Sequence, residues 1–287
     1  MSRIKRGWGL TKKSWGLLNE NRELIRFPLY GAVATIPLAI LFFGPGLYLL
    51  DQQTYAGAVP LLVIGIYVMT VVGVYFSVGL AAAANLIFSG QPATVSDGLA
   101  VSRSHFGPIC GWAGLSTAIS VFMGVLENQG GALGNIAARL VGMAWALVTF
   151  MAVPVIAIEG TGPVETLKRS ASIFRQKWGQ QITGNIAIGG AIFLLGLLPA
   201  VLLIVGGILV WPSASFAGAL LVVIGALVLA IAMLISKALS GVFGVALYRY
   251  AVEGQAVGGF TTAELESAVK LKKGGRNAPP TATPGTV

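Results

Sequence analysis

Long apolar runs separated by short polar connections dominate the chain. Runs able to cross a hydrocarbon core of about 30 Å extend from Phe27 to Leu50, Tyr55 to Phe88, Ile109 to Leu126, Ile136 to Ile158, Ile182 to Trp211 and Phe216 to Leu247. The pattern predicts an all-α polytopic membrane bundle of six spanning helices. The second, fifth and sixth runs exceed the roughly 20 residues that a span needs, so they are expected to tilt or to continue as helix past the membrane surface. Breakers stand where turns are required, as Gly44-Pro45-Gly46 and Trp211-Pro212-Ser213. The chain thus divides into a basic amphipathic segment (1–26), a spanning domain (27–250), a C-terminal helical region (251–273) and a tail (274–287) whose Gly, Pro and Thr content predicts disorder.

A different periodicity occupies Pro163 to Gln180. Val164, Leu167, Ala171, Phe174 and Trp178 recur at spacings of three and four, and basic residues fill the remaining face. Pro163 suits the first helical position, Glu165 the first turn, and Arg175 and Lys177 the last, each favoured by the helix dipole. Two readings of this amphipathic helix are open. In one, Phe174 and Trp178 enter the lipid headgroup boundary while Lys168, Arg169, Arg175 and Lys177 meet anionic lipid. In the other, the helix packs on its own bundle. The N-terminal segment repeats the chemistry, with Trp8 and Trp15 one heptad apart among Lys12, Lys13 and further basic residues, and the simplest reading is again a membrane-surface helix.

Composition sharpens the class. Hydrophobic residues make up 55% of the chain and charged residues 10%, with a mean hydropathy of +0.82; a soluble domain carries about 25% charged residues. The net charge of +9 would suit nucleic acid in a soluble protein, but here it follows the connections. Arg3 to Arg26, Arg103, Lys168 to Lys177 and Arg249 to Arg276 all fall on one side of a six-span layout, and Arg139 is the only basic residue opposite. The positive-inside rule therefore predicts that both termini are cytoplasmic. Seven basic side chains in the first 26 residues and the long run that follows do not describe a cleavable signal. One cysteine, Cys110, and one histidine, His105, supply neither an intramolecular disulfide nor a zinc set, so no metal and no cofactor are expected.

The cytoplasmic connections resemble one another. Leu99, Ser102, Ser104 and Phe106 share an L-x-x-S-x-S-x-F spacing with Leu167, Ser170, Ser172 and Phe174, and an acid, Asp97 or Glu165, stands two positions before each. Three units of surface helix plus spanning hairpin would explain the match, as would chance similarity between amphipathic segments. Polar residues inside runs are functional suspects because burial in lipid is costly. Asn85, Lys237 and Glu159 qualify; Lys237 is expected to snorkel toward the cytoplasmic headgroups, and Asn85 extends the small-residue stripe Gly73, Ser77, Ala81. Zinc-protease, nucleophile-elbow and phosphate-loop motifs are all missing, so the chain is read as no enzyme.

The stretch Pro154 to Trp178 contains E-G-x-x-x-x-E-T-L-x-R-S. It resembles uncharacterised prokaryotic six-helix membrane families with an E-G-x-x-x-x-E-[AT]-L-x-R-S segment before an amphipathic helix, and is distantly similar to the membrane domain attached to some glycerophosphodiester phosphodiesterases. The resemblance implies Glu159, Gly160, Glu165, Leu167, Arg169 and Ser170 as signature positions and the prokaryotic plasma membrane as location; it implies no activity, and the acidic metal site of the soluble phosphodiesterase domain is absent from this sequence. The expectation is a non-enzymatic membrane component contacting anionic lipid, a membrane-protein partner or a second copy through its basic helices. The rival is a small transporter or channel of repeated hairpins, which needs a polar cavity near the midplane.

Overall fold

The computed structural model describes residues 13, 15–129, 131–178, 197–212 and 214–268, and every regular element among them is helical. We label these α1 (Glu23–Asp51), α2 (Tyr55–Phe88), α3 (Val95–Ser104), α4 (Phe106–Gln129), α5 (Gly131–Thr149), α6 (Ala152–Glu159), α7 (Pro163–Trp178), α8 (Leu198–Val210), α9 (Ser215–Glu253) and α10 (Thr262–Ala268). Among them α1, α2, α4 and α9 are long and apolar enough to cross a membrane.

One predicted span comes out differently, and another is described only in part. The run from Ile136 to Ile158 is divided into α5 and α6, with Phe150 and Met151 in a turn. Pro154 accounts for the break, because its ring clashes with a helical carbonyl at Phe150 and it has no N–H to donate there. In the first turn of α6 the same residue is harmless. Of the run from Ile182 to Trp211, residues 182–196 lie outside the described residues, and the remainder includes the 13-residue α8.

Antiparallel pairs follow from tight connections. Gln53, at φ 55, reverses the chain between α1 and α2, where the Thr54 amide donates to the Leu49 carbonyl at 2.9 Å. The pair α8/α9 approaches closely at reciprocal glycines: a Cβ added to Gly207 would stand 2.8 Å from the Gly218 oxygen, and one added to Gly218 2.7 Å from the Gly207 oxygen. Trp112 of α4 and Trp145 of α5 stack at 5.8 Å.

Burial is concentrated at one end. Leu24 and Phe27 of α1, Val78 to Ala84 of α2, Ile109 and Trp112 of α4, Ile156 of α6 and Leu239 to Val245 of α9 form one cluster. Met151, Val155, Ile173, Phe174, Phe243, Leu247, Phe260 and Leu265 form a second beside it. The far halves of the helices are bare: large exposed apolar side chains run from Leu29 to Tyr48 in α1 and from Phe216 to Met233 in α9. At 1.5 Å per residue these stretches measure about 28 and 26 Å, close to the hydrocarbon thickness of about 30 Å. An apolar surface of that height is stable in lipid and not in water. The long helices therefore leave the lipid band and continue into a packed end, to which the short helices α3, α6, α7 and α10 are attached.

Candidate functional site

The most elaborate polar cluster of the packed end is built where α6 turns into α7. Helix α6 stops at Glu159 because Gly160 takes φ 65 and ψ 21, a left-handed cap that only glycine adopts without strain. Two residues later Pro163 opens α7, and the turn is fastened by hydroxyls: Thr166 donates to the Thr161 carbonyl at 3.0 Å and the two side-chain oxygens stand 2.8 Å apart. Arg169 then lies back over the end of α6, its Nε donating to Glu159 Oε1 at 2.8 Å and Oε2 at 3.1 Å. Tyr248 of α9 donates its hydroxyl to the same Oε1 at 2.5 Å. The hydrogen bond to Glu159 holds the Arg169 guanidinium above its ordinary value, against the opposing effect of burial. On the other side, His105 packs on the turn, its Nε2 2.7 Å from where a Gly160 Cβ would be. Its Nδ1 is buried with no hydrogen-bond partner among the described residues.

This arrangement is a joint between three segments. The Glu159 carboxylate is held by a guanidinium and a phenol, so its oxygens are engaged within the protein. Among the described residues no three His, Cys, Asp or Glu side chains gather to hold a metal.

The signature positions divide accordingly. Glu159, Gly160 and Arg169 form the joint, Ser170 is fully buried and Leu167 packs against the first cluster, whereas Glu165 is exposed. Ser102 of α3 is also fully buried, donating to the Tyr75 carbonyl of α2 at 2.8 Å. The room for α3 comes from Gly98, whose added Cβ would stand 2.4 Å from the Gly79 oxygen. Asp97 caps α3 reciprocally with Thr94, and those hydrogen bonds hold its carboxyl below the ordinary value.

The lipid-contact candidates separate as well. Phe174 is 7% exposed and sits among Met151, Val155 and Phe243, so it does not enter the headgroup boundary. Helix α7 buries its apolar face on its own bundle because the hollow between α6 and α9 offers it an apolar seat. Arg169 is engaged by Glu159, and Lys13 is engaged by Glu264 at 2.7 Å. Lys168, Arg175 and Lys177 are exposed, Lys177 lying 5.4 Å from the Tyr250 ring centre. Trp15 is exposed; Trp8 and Lys12 lie outside the described residues, as does the side chain of Trp178. Val164, at the start of the apolar stripe of α7, and Phe106 are exposed at this end as well.

The in-run polar residues are placed unequally. Asn85 is in the last turn of α2, at the packed end and away from the lipid band. Lys237 is one turn past Met233, at the edge of that band, and lines an open cleft of about 430 Å³ with Thr35 of α1 and Ile66, Met69, Thr70, Gly73, Val74 and Ser77 of α2. Among the described residues no carboxylate lines it.

No curated protein matches the chain. A family profile does, over residues 56–259, a stretch that contains the α6–α7 joint, the buried serines and most of the spanning helices. The chain therefore belongs to a family of unknown function (DUF6159).

Proposed function

We propose that the protein is a non-enzymatic component of the prokaryotic plasma membrane that organises anionic lipid around its packed, basic end. The observation that carries this reading is the coincidence, just beyond the lipid band, of the exposed cations Lys168, Arg175 and Lys177 with the exposed apolar side chains Trp15, Phe106 and Val164. Basic residues near an anionic surface contribute about 1 kcal/mol each, over a Debye length of about 8 Å at physiological salt. In this proposal both termini are cytoplasmic, the helices α5 and α8 complete six spans with their neighbouring residues, and three units of surface helix plus hairpin build the whole. The burial of Ser102 and Ser170 at matching positions supports that repeat. The distant similarity to membrane domains of glycerophosphodiester phosphodiesterases belongs to the same reading, as a membrane-embedded accessory role. A transporter is the second reading, favoured by the hydroxyl-lined cleft at Lys237.

The test is the lipid annulus of the full chain extracted in polymer nanodiscs. Wild type is expected to enrich anionic over zwitterionic lipid, and the combination Lys168→Glu, Arg175→Glu, Lys177→Glu to lose most of that enrichment. Raising salt to 1 M before extraction should act in the same direction. Enrichment that survives both changes would refute the role of this face. In intact cells, before extraction, a cysteine at Gln53 should react with an impermeant maleimide from outside and one at Ser172 should not.

A further inference from the structure

The Lys237 cleft has the chemistry of a binding site. The ammonium has no hydrogen-bond or ion-pair partner among the described residues, yet it faces the middle of α2, its Nζ 3.8 Å from where a Gly73 Cβ would be. Thr70, Gly73 and Ser77 share one face of that helix, so hydroxyls stand on both sides of the ammonium. Thr35 supplies a third from α1. All three hydroxyls donate inward to the carbonyl four residues earlier, Thr35 to Gly31 at 2.6 Å, Thr70 to Ile66 at 2.7 Å and Ser77 to Gly73 at 2.6 Å. Their lone pairs are left toward the cleft, so it presents one cation and three acceptors on walls of Ile66, Met69 and Val74.

Position selects the ligand. From the α1/α2 turn to Gly73 is about 27 Å along α2, and from the start of α9 to Lys237 about 33 Å, which brackets the hydrocarbon thickness of about 30 Å. A group at that depth and open sideways meets phospholipid phosphates at their own level. We propose that the cleft is a site for a single anionic glycerophospholipid, whose phosphate pairs with Lys237, whose headgroup hydroxyls donate to Ser77 at the same level, and whose acyl chains descend along α2 past Thr70 and Thr35. Unlike the annulus attracted by α7, which rests on long-range charge, this site is stoichiometric and adds hydrogen bonding and acyl-chain contact to the charge of an exposed lysine.

The experiment is native mass spectrometry of the full chain in detergent, titrated with phosphatidylglycerol or with phosphatidylcholine of the same acyl chains. One phosphatidylglycerol is expected to be retained at 1 M salt, with phosphatidylcholine bound about tenfold more weakly, because it carries the same phosphate but a quaternary ammonium that cannot donate a hydrogen bond and that Lys237 repels. Lys237→Met should weaken phosphatidylglycerol binding about tenfold, the loss of one charge-assisted hydrogen bond, and narrow the preference; Lys237→Arg should keep most of both, and Gly73→Leu should block the site by filling the cleft with the charge unchanged. The charge-reversed α7 combination should still bind this one lipid, so the two proposals fail separately. Unchanged phosphatidylglycerol affinity in Lys237→Met, with the thermal stability of wild type, would overturn the assignment. Displacement of the lipid by 10 mM inorganic phosphate would also overturn it and identify the cleft as a free-anion site of the transporter reading.

Discussion

Gly98 provides the sharpest test of how the packed end is held together. Its replacement by alanine adds one methyl group, which would stand 2.4 Å from the Gly79 oxygen, 2.5 Å from Phe27 Cζ and 2.9 Å from Phe27 Cε1. Carbon to carbonyl-oxygen contacts settle at about 3.3–3.6 Å, so α3 must retreat from α2 by about 1 Å. Neither neighbour yields easily: one is backbone, and the other is a ring only 1% exposed. The retreat also stretches the 2.8 Å bond from Ser102 to the Tyr75 carbonyl. Overpacking costs about 1–3 kcal/mol and the weakened hydrogen bond about 1, while the gain in helix propensity returns up to about 1. The net loss is about 1–3 kcal/mol, observable as a fall in thermal midpoint of roughly 2–4 °C per kcal/mol. Fluorescence of the core residue Trp112 in detergent would follow it, together with the intrinsic tryptophan signal of an unperturbed control. Gly206→Ala is that control, since nothing lies within 4 Å of its added Cβ, and its midpoint should hold or rise. A Gly98→Ala protein as stable as wild type would refute the close approach of α3 and α2.

Two further outcomes are expected. A double-mutant cycle on Glu159→Gln and Arg169→Met should give a coupling of about 1 kcal/mol, at the modest end because the side chains are 22% and 39% exposed, and additive effects would mean that the pair holds nothing. At Glu264, burial raises the carboxyl, but hydrogen bonds from Lys13 and Thr261 outweigh it and leave the group below its ordinary 4.5. A depressed carboxylate contributes stability that is present above 4.5 and is lost as pH falls through the lower folded value. Hydrogen exchange at Thr261 to Leu265 should therefore accelerate below pH 4.5 beyond its intrinsic trend, and Glu264→Gln should abolish that dependence; an equal response in the variant would sink the clasp.

Hydropathy alone determined the class of the protein, the limits of α1, α2 and α9 to within a few residues, and the existence and start of α7 at Pro163. These are local properties: a run of apolar residues has one stable partner in lipid, and a proline followed by periodic residues has one preferred backbone. The signature E-G-x-x-x-x-E-T-L-x-R-S was visible as a motif, but its meaning was not, because Glu159 and Arg169 meet through a turn and Tyr248 joins them from 89 residues away. Similarly, Gly98 reads as a weak helix residue until α2 and Phe27 are brought against it. The break at Phe150 was overridden in the hydropathy pattern by the apolar residues on both sides of it. Phe174 gives the general reason. An apolar stripe on a basic helix has the same sequence whether it faces acyl chains or a neighbouring helix, since both environments are apolar. Only the tertiary structure, by presenting Val155 and Phe243 beside it, decides that Phe174 is covered by protein while Val164 and the cations Lys168, Arg175 and Lys177 stay exposed.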